Sequence, residues 1–414
     1  MLNKNGAREL AYVVRIDEIR PIEGADRVEL AIVGGWQVMV RKGQFEPADL
    51  AIYFEIDSKV PETEPFKFLE SKHYKIKTQK YFKGKVLSQG LLMSAEDFGG
   101  ISYIDGDGRH YLHIDGISYA KGEFLTEKLG VKYAVDEDNI RKANSVDKYK
   151  KMAARHPALF KKPFFRWLMR RNWGKKFLFI FFGKKRDSSS ATAFPSKFPF
   201  ITKSDEERVE NMPWILNDKT PWVKTTKIDG TSTLFLLVRK PFNKFEYYVC
   251  SRNVRQLTPN QKTFFDTENV YWQVNEKFHI KEMLEDLLNK HSNWQYCAVQ
   301  GETAGTSLNG SKIQGDPHQF GELRFFGYNF IDSEKGRWKT PEAKRLVSSY
   351  GVEWVPIIDE NYIFPDNFEE FKLSADGECE APGAHGIREG YVYRNAVDPN
   401  RSFKNVSREY LLQH

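Results

Sequence analysis

The chain has 414 residues with 40% hydrophobic and 29% charged side chains, which is length enough for two hydrophobic cores and a connector in a globular protein. No apolar run approaches the roughly 18 residues of a membrane span, and Met1 to Leu10 lacks the apolar stretch of a signal peptide. The three widely spaced cysteines, Cys250, Cys297 and Cys379, suit neither a disulfide framework nor a zinc site. These features set aside membrane insertion, secretion and cysteine-held metals, and a cytoplasmic, reducing compartment is expected. The net charge of +7 is local: residues 141–186 hold sixteen Lys and Arg against one acid, Asp147, while the rest of the chain is net −8. Such a block is the footprint of a polyanion partner or else a solvated linker surface.

From Leu10 to about Leu129 short β-branched runs (YVVRI, VELAIV, WQVMV, AIYFEI) alternate with turn signals such as Gly34-Gly35 and Lys42-Gly43. The spacing predicts an all-β module over residues 1–135. Its size suits an OB-like β-barrel, and a sandwich fits the periodicity equally well. Lys80, Lys83 and Lys85, interleaved with Tyr81 and Phe82, combine charge with stacking surface and are candidate nucleic-acid-binding residues; the two aromatics would serve a core as readily. Residues 136–192 read as a basic, aromatic-rich helical linker. Phe164, Phe165, Trp167 and Trp173 are expected to pack inside, and Arg166, Arg170 and Arg171 to meet nucleic acid. A membrane surface is the alternative partner for such a mix. Asp187 to Thr192 reads as a flexible break before a domain over residues 193–414.

In that domain strands (TSTLFLLV, EYYVCS, QYCAVQGE, RFFGYNF, EGYVYR) alternate with helical stretches near Asn275 to His291 and Pro341 to Ser349. The fold class is α+β, built on antiparallel sheets. Its distinctive residues fall at strand ends: Lys227-Ile228-Asp229-Gly230, Ser251-Arg252-Asn253, Gly301-Glu302, Phe325-Phe326-Gly327-Tyr328-Asn329, Glu389-Gly390-Tyr391-Val392 and Phe403-Lys404-Asn405-Val406-Ser407. A Lys-x-Asp-Gly tetrapeptide alone is only a strand end with a tight turn. The ordered company supplies the parts of phosphoryl chemistry. A lysine nucleophile must be neutral, which burial or neighbouring cations favour. Asp229, Glu302 and Glu389 offer hard oxygens for Mg²⁺ or Mn²⁺. Lys404 offers a cation to a phosphate in the transition state, Tyr328 or Phe326 a ring for a purine, and Arg252 a planar fork for ribose or phosphate.

The set resembles motifs I, Ia, III, IIIa, IV and V of the covalent nucleotidyltransferases, the superfamily of ATP-dependent ligases and capping enzymes, from about Phe194 to the C-terminus. With the N-terminal β module and the stretch from Phe198 to Asn211, the chain is similar to the fifth RNA ligase family, the clade of the Deinococcus and Naegleria RNA ligases. The resemblance implies an adenylyltransferase domain in which Lys227 captures AMP from ATP. RNA with 3′-OH and 5′-phosphate ends would then be sealed through lysyl-AMP and RNA-adenylate, in RNA repair. It implies an ATP/AMP site of Lys227, Arg252, Glu302, Tyr328, Phe326, Glu389 and Lys404, and metal ligands Asp229, Glu302 and Glu389. A monomer without a stable protein partner or membrane is expected. DNA ligases and capping enzymes usually carry a further OB domain after motif V, for which the ten residues beyond Lys404 leave no room; a noncatalytic RNA-binding adaptor would not require the whole set. One departure is Val406, where many relatives have a second motif V lysine; the charge that lysine brings must come from elsewhere, with Lys224 and Arg408 as the candidates, or be absent.

Overall fold

The computed structural model describes residues 8–84, 86–134, 206–252 and 269–413, together with 162–169, 178, 192–193, 201 and 254–256. The N-terminal strands are β1 (Ala11–Arg15), β2 (Glu18–Pro21), β3 (Val28–Val33), β4 (Trp36–Arg41), β5 (Leu50–Phe54), β6 (Ser58–Lys59), β7 (Gln79–Tyr81), β8 (Val86–Ser88), β9 (Leu91–Met93), β10 (Ile101–Ile104), β11 (His110–Ile114), β12 (Ile117–Tyr119) and β13 (Lys132–Tyr133). The alternating runs thus form strands where alternation predicts them. Every residue of β5 is buried, because Leu50, Ile52 and Phe54 enter one core while Ala51 and Tyr53 enter another on the opposite face.

The expected barrel is corrected in one respect: the strands do not close into one continuous ladder. They pair as short sheets, β1-β5-β9, β2-β3-β4 and β10-β11-β12 among them, joined at corners by single backbone bonds. At Ile16 and Asp17 the chain leaves β5 for β3, with Ile16 N–H donating to the Asp49 carbonyl and Asp17 N–H to that of Ile32, each at 2.8 Å. Gln89 N–H, donating to the Gln37 carbonyl at 2.8 Å, ties the β8–β9 turn to β4. A strand that changes sheets by bending breaks its ladder at the bend.

The C-terminal domain contains β14 (Thr192–Ala193), β15 (Glu207–Arg208), β16 (Trp222–Lys227), β17 (Thr231–Lys240), β18 (Lys244–Ser251), β19 (Val254–Gln256), β20 (Tyr296–Gly305), β21 (Leu323–Asp332), β22 (Gly336–Arg337), β23 (Glu353–Trp354), β24 (Ile357–Tyr362), β25 (Gly390–Asn395) and β26 (Ser402–Val406). The helices, in chain order, are α1 (Pro163–Met169), α2 (Val270–Phe278), α3 (Ile280–Lys290), α4 (Thr340–Ser348), α5 (Phe368–Leu373) and α6 (Arg408–Gln413). The helical stretch predicted near Asn275 to His291 divides into α2 and α3 at His279, which takes a left-handed conformation.

Two sheets face the site. The larger runs β14-β19-β18-β17-β20-β21-β22, with β23 beside β21; the smaller runs β15-β26-β25-β16-β24. The larger is covered by α2, α3 and α4 through Val274, Met283, Leu284, Leu287, Leu288, Ala343 and Val347. An aromatic core of Trp222, Phe364, Phe371, Tyr391, Tyr393 and Phe403 backs the smaller. The chain crosses from the smaller sheet to the larger between Lys227 and Thr231, so Lys-Ile-Asp-Gly is the hinge of the cleft. Gly230 fits there because a Cβ would stand 2.3 Å from the Thr303 carbonyl oxygen.

Of the linker aromatics expected to pack inside, Phe164 and Trp167 are instead exposed on α1, stacked on each other with ring centres 6.3 Å apart, while Leu168 is buried. A seven-residue helix has too little surface to bury two faces, and here the aliphatic side chain takes the inner one.

Candidate active site

Strand register brings the motifs together. Lys227 at the end of β16 stands opposite Gly390 on β25, which stands opposite Val406 on β26; in the next row on the same face lie Thr225, Val392 and Lys404. Gly390 has φ +143°, and a Cβ there would come 2.2 Å from the Asn405 carbonyl oxygen, so only glycine permits this approach. Glu389 emerges just before it, and Lys227 Nζ donates to Glu389 Oε2 at 2.6 Å. From the other sheet comes Glu302, in register between Ser232 and Phe326. Asp229 follows Lys227 in the hinge.

The electrostatics reverse one expectation. Burial alone would make Lys227 a weaker base, but Glu389, Glu302 and Asp229 outweigh burial and raise its pKa above the usual lysine range. Lys227 is therefore an ammonium, not a poised free amine, because its neighbours are anions. The carboxylates respond in kind: burial, together with the crowding of Asp229 and Glu389, pushes Glu302 up to about 8, and burial and Glu389 push Asp229 up to about 6. Three acids crowding one ammonium are short of positive charge.

That donor set, all hard oxygen, fits a divalent cation. Among the described residues no group of three or more His, Cys, Asp or Glu is arranged to hold a metal ion unaided. A cation bound here would keep much of its water, as Mg²⁺ and Mn²⁺ do.

Several predicted residues take other places. Phe326, opposite Glu302 across the β20–β21 ladder, is fully buried and packs on Phe320 in the helix-covered core. Tyr328 is half-buried with its hydroxyl 2.9 Å from Ser232 Oγ, on the cleft side of β17, and remains the candidate for stacking. Lys224 leaves β16 on the face opposite Lys227, with Nζ 4.0 Å from the centre of the Tyr391 ring and 5.0 Å from that of Tyr362. Arg408 pairs with Glu369 at 2.8 Å. Neither supplies the charge missing at Val406, which is buried, and Lys404 is the cation in the row beside Lys227. Arg252, at the end of β18, lies close enough to Glu302 to favour its ionised form and acts likewise on Tyr133 of the N-terminal module.

Of the candidate nucleic-acid residues, Lys80 and Lys83 are exposed near half-buried Tyr81 and exposed Phe82, so these aromatics line a surface, not a core. Arg166 falls on α1 with its side chain outside the described residues. Lys85, Arg170, Arg171, Asn253 and the bulk of the basic block lie outside them as well.

Two residues of the site carry no motif. His318, fully buried, accepts the Asp229 backbone N–H at Nε2 (2.8 Å), with Nδ1 3.0 Å from the Ile387 carbonyl oxygen. Those partners require the neutral Nδ1–H tautomer, and burial lowers the imidazole pKa in the same sense. Tyr410 donates its hydroxyl proton to Asp229 Oδ2. His318 stands in a loop without periodicity; the only sequence signal near Tyr410 is Ser407, a good helix N-cap three residues before it.

Comparison with known proteins places this geometry. The RNA ligase family model matches residues 220–406, and an OB-fold domain model matches residues 10–95. Solved structures of variants of the Naegleria gruberi RNA ligase share the fold: an apo form at 24% identity and TM-score 0.68, covering 99% of each chain. A form with ATP and Mn and another with AMP and Mn both have 24% identity and TM-score 0.68, and each covers 98% of this chain and 99% of its own. No curated protein matches the chain by sequence.

Proposed function

We infer that this chain, with an RNA ligase match over its motif-bearing domain and the whole-length fold of the Naegleria ligase, is an ATP-dependent RNA ligase. The observation that carries the reading is the Lys227–Glu389 pair at 2.6 Å, set among Asp229 and Glu302 with Lys404 in the adjoining row.

In the first step Lys227 Nζ gives up a proton, for which Glu389 Oε2 is the adjacent acceptor, and attacks the α-phosphorus of ATP. A P–N bond forms and pyrophosphate leaves. Lys404 projects from the same sheet face and offsets the charge that builds on the phosphoryl oxygens. Tyr328 offers its ring to the adenine, and Arg252, beside Glu302, is placed to hold ribose or phosphate. Asp229, Glu302 and Glu389 would hold Mg²⁺ or Mn²⁺, which supplies positive charge that neutralises them, eases deprotonation of the amine and stabilises the leaving group. The second step passes AMP to an RNA 5′-phosphate and restores Lys227. In the third the RNA 3′-OH attacks that activated phosphate, forms the phosphodiester and expels AMP. All three are phosphoryl transfers governed by positioning and charge.

We place the division of labour at residues 1–135 for substrate engagement, 136–192 for the linker and 193–414 for chemistry. Separate hydrophobic cores in the first and last support this. Lys80, Lys83 and Lys85, with Arg166, Arg170 and Arg171, are assigned to RNA phosphates, and repair of broken RNA is the proposed role. The protein would act as a monomer in the cytoplasm; among the described residues no helix is long and apolar enough to cross a membrane. The test is sealing of nicked duplexes that carry 3′-OH and 5′-phosphate ends, with ATP and Mn²⁺. Joining of an RNA nick in preference to a DNA nick is expected. Preference for DNA would make the protein a DNA ligase, and joining of neither would remove the ligase assignment.

A further inference from the structure

Tyr410 touches the motif I aspartate, yet the reaction above gives it no part. It rides on α6, whose start is fixed by motif V. Ser407 caps the helix by accepting the Tyr410 N–H at its Oγ (3.0 Å), donates its own hydroxyl to Asp376 Oδ1 (2.7 Å), and donates its backbone N–H to the Glu389 carbonyl (2.9 Å). This anchoring turns α6 so that the Tyr410 hydroxyl reaches the Asp229 carboxylate. The backbone of Asp229 is held from its other side by His318, whose ring lies nearly parallel to that of Tyr410 with centres 6.3 Å apart. The next residue, Leu411, faces elsewhere. It packs against the N-terminal core that contains Tyr12, Trp36 and Tyr53.

One short helix therefore grips an active-site carboxylate with one residue and the N-terminal module with its neighbour. We propose that α6 is a positioning element in which Tyr410 orients Asp229 only while Leu411 is seated on the N-terminal module, so that docking of that module sets the competence of the adenylylation site. The inference rests on the ligase reading. Tyr410 acts through Asp229 and is a positioning residue; its hydrogen bond to a charged, largely buried group is of the strong kind. Leu411, one residue along, touches no part of the cleft, which makes it the discriminating position.

The experiment measures lysyl-AMP formation by the full chain with ATP and Mn²⁺, and amide hydrogen exchange of the peptide spanning residues 227–232, in wild type, Tyr410→Phe, Leu411→Ala and the double variant. Thermal melts report folding. Each single change is expected to slow the step at saturating ATP by about tenfold, the cost of one charge-assisted hydrogen bond, with the ATP KM little changed and exchange at 227–232 faster. The double variant should be no slower than the slower single, since both changes break one linkage. Leu411→Met, which conserves volume, should recover the wild-type rate. If Leu411→Ala does not fold, Leu411→Val with the same readouts decides. Wild-type rate and exchange in the folded Leu411 variant, or effects that multiply in the double variant, would overturn the proposal while leaving the ligase assignment standing. A wild type that forms no lysyl-AMP would overturn that assignment instead, and the exchange data would still report whether α6 holds the hinge.

Discussion

Lys227 is kept charged by the acids that surround it, and two of them, Glu302 and Asp229, are in turn pushed toward protonation by burial and by neighbouring carboxylates. Catalysis must resolve that standoff, which makes Glu389 the most informative single position beside the nucleophile. Glu389→Gln is expected to reduce lysyl-AMP formation by about 100-fold or more, the scale of losing an electrostatic group from a phosphoryl-transfer site, while thermal melts stay near wild type. A second pair separates core from cleft within motif IIIa. Phe326→Ala should cost about 3–5 kcal/mol of stability in urea unfolding, as for a large side chain deleted from a packed core. Tyr328→Ala should instead raise the ATP KM. Five charged residues of the proposed site, Lys227, Asp229, Glu302, Glu389 and Lys404, stand out in the sequence because each sits in a short motif whose order matches a chemistry. His318 and Tyr410 do not, because their roles come from tertiary packing of a loop and a helix onto Asp229.

At the scale of elements, the strands of both domains were legible because alternation of apolar residues follows directly from a half-buried pleat. The corners at Ile16–Asp17 and at Gln89 were not, since they depend on which neighbour each backbone group finds. The back of β26 shows another feature hidden from sequence. Lys372 on α5 and Glu210 form a fully buried ion pair at 2.6 Å, and the same ammonium donates to Asn405 Oδ1 at 2.8 Å and to the Val406 carbonyl at 3.3 Å. This lysine braces the strand that presents Lys404, although it lies on the far side from the cleft. Lys372→Ala would leave Glu210 buried and uncompensated, and a loss of about 3–5 kcal/mol in urea unfolding is expected.

Across the whole molecule, the N-terminal module and the C-terminal domain meet at a polar junction built on the end of the stretch from Phe198 to Asn211, whose structural part the sequence does not announce. Asn211 receives the Trp36 indole N–H at 2.7 Å and donates to Glu55 Oε1 at 3.0 Å, and the Gly35 N–H donates to the Glu210 carbonyl at 2.7 Å. Burial opposes ionisation of Glu55, but the cations around it, Arg8 and Arg208 among them, hold its pKa down at about 2 against an ordinary 4.5. A carboxylate whose pKa is lower in the folded state stabilises fully above its unfolded pKa and loses that contribution as pH falls through its folded one. The junction should therefore weaken progressively from pH 4.5 toward 2, by about 3 kcal/mol in all. Glu55→Gln should be less stable at neutral pH and should lack this contribution to the acid slope, which urea midpoints across that range will show.

The central proposal is that the Lys227 amine accepts AMP. Incubation with ATP labelled at the α-phosphate and with Mn²⁺ or Mg²⁺, followed by denaturing electrophoresis, tests it directly. The wild type is predicted to carry acid-labile label on Lys227, and Lys227→Ala none. A wild type without label under both metals, or equal labelling of Lys227→Ala, would contradict the assignment.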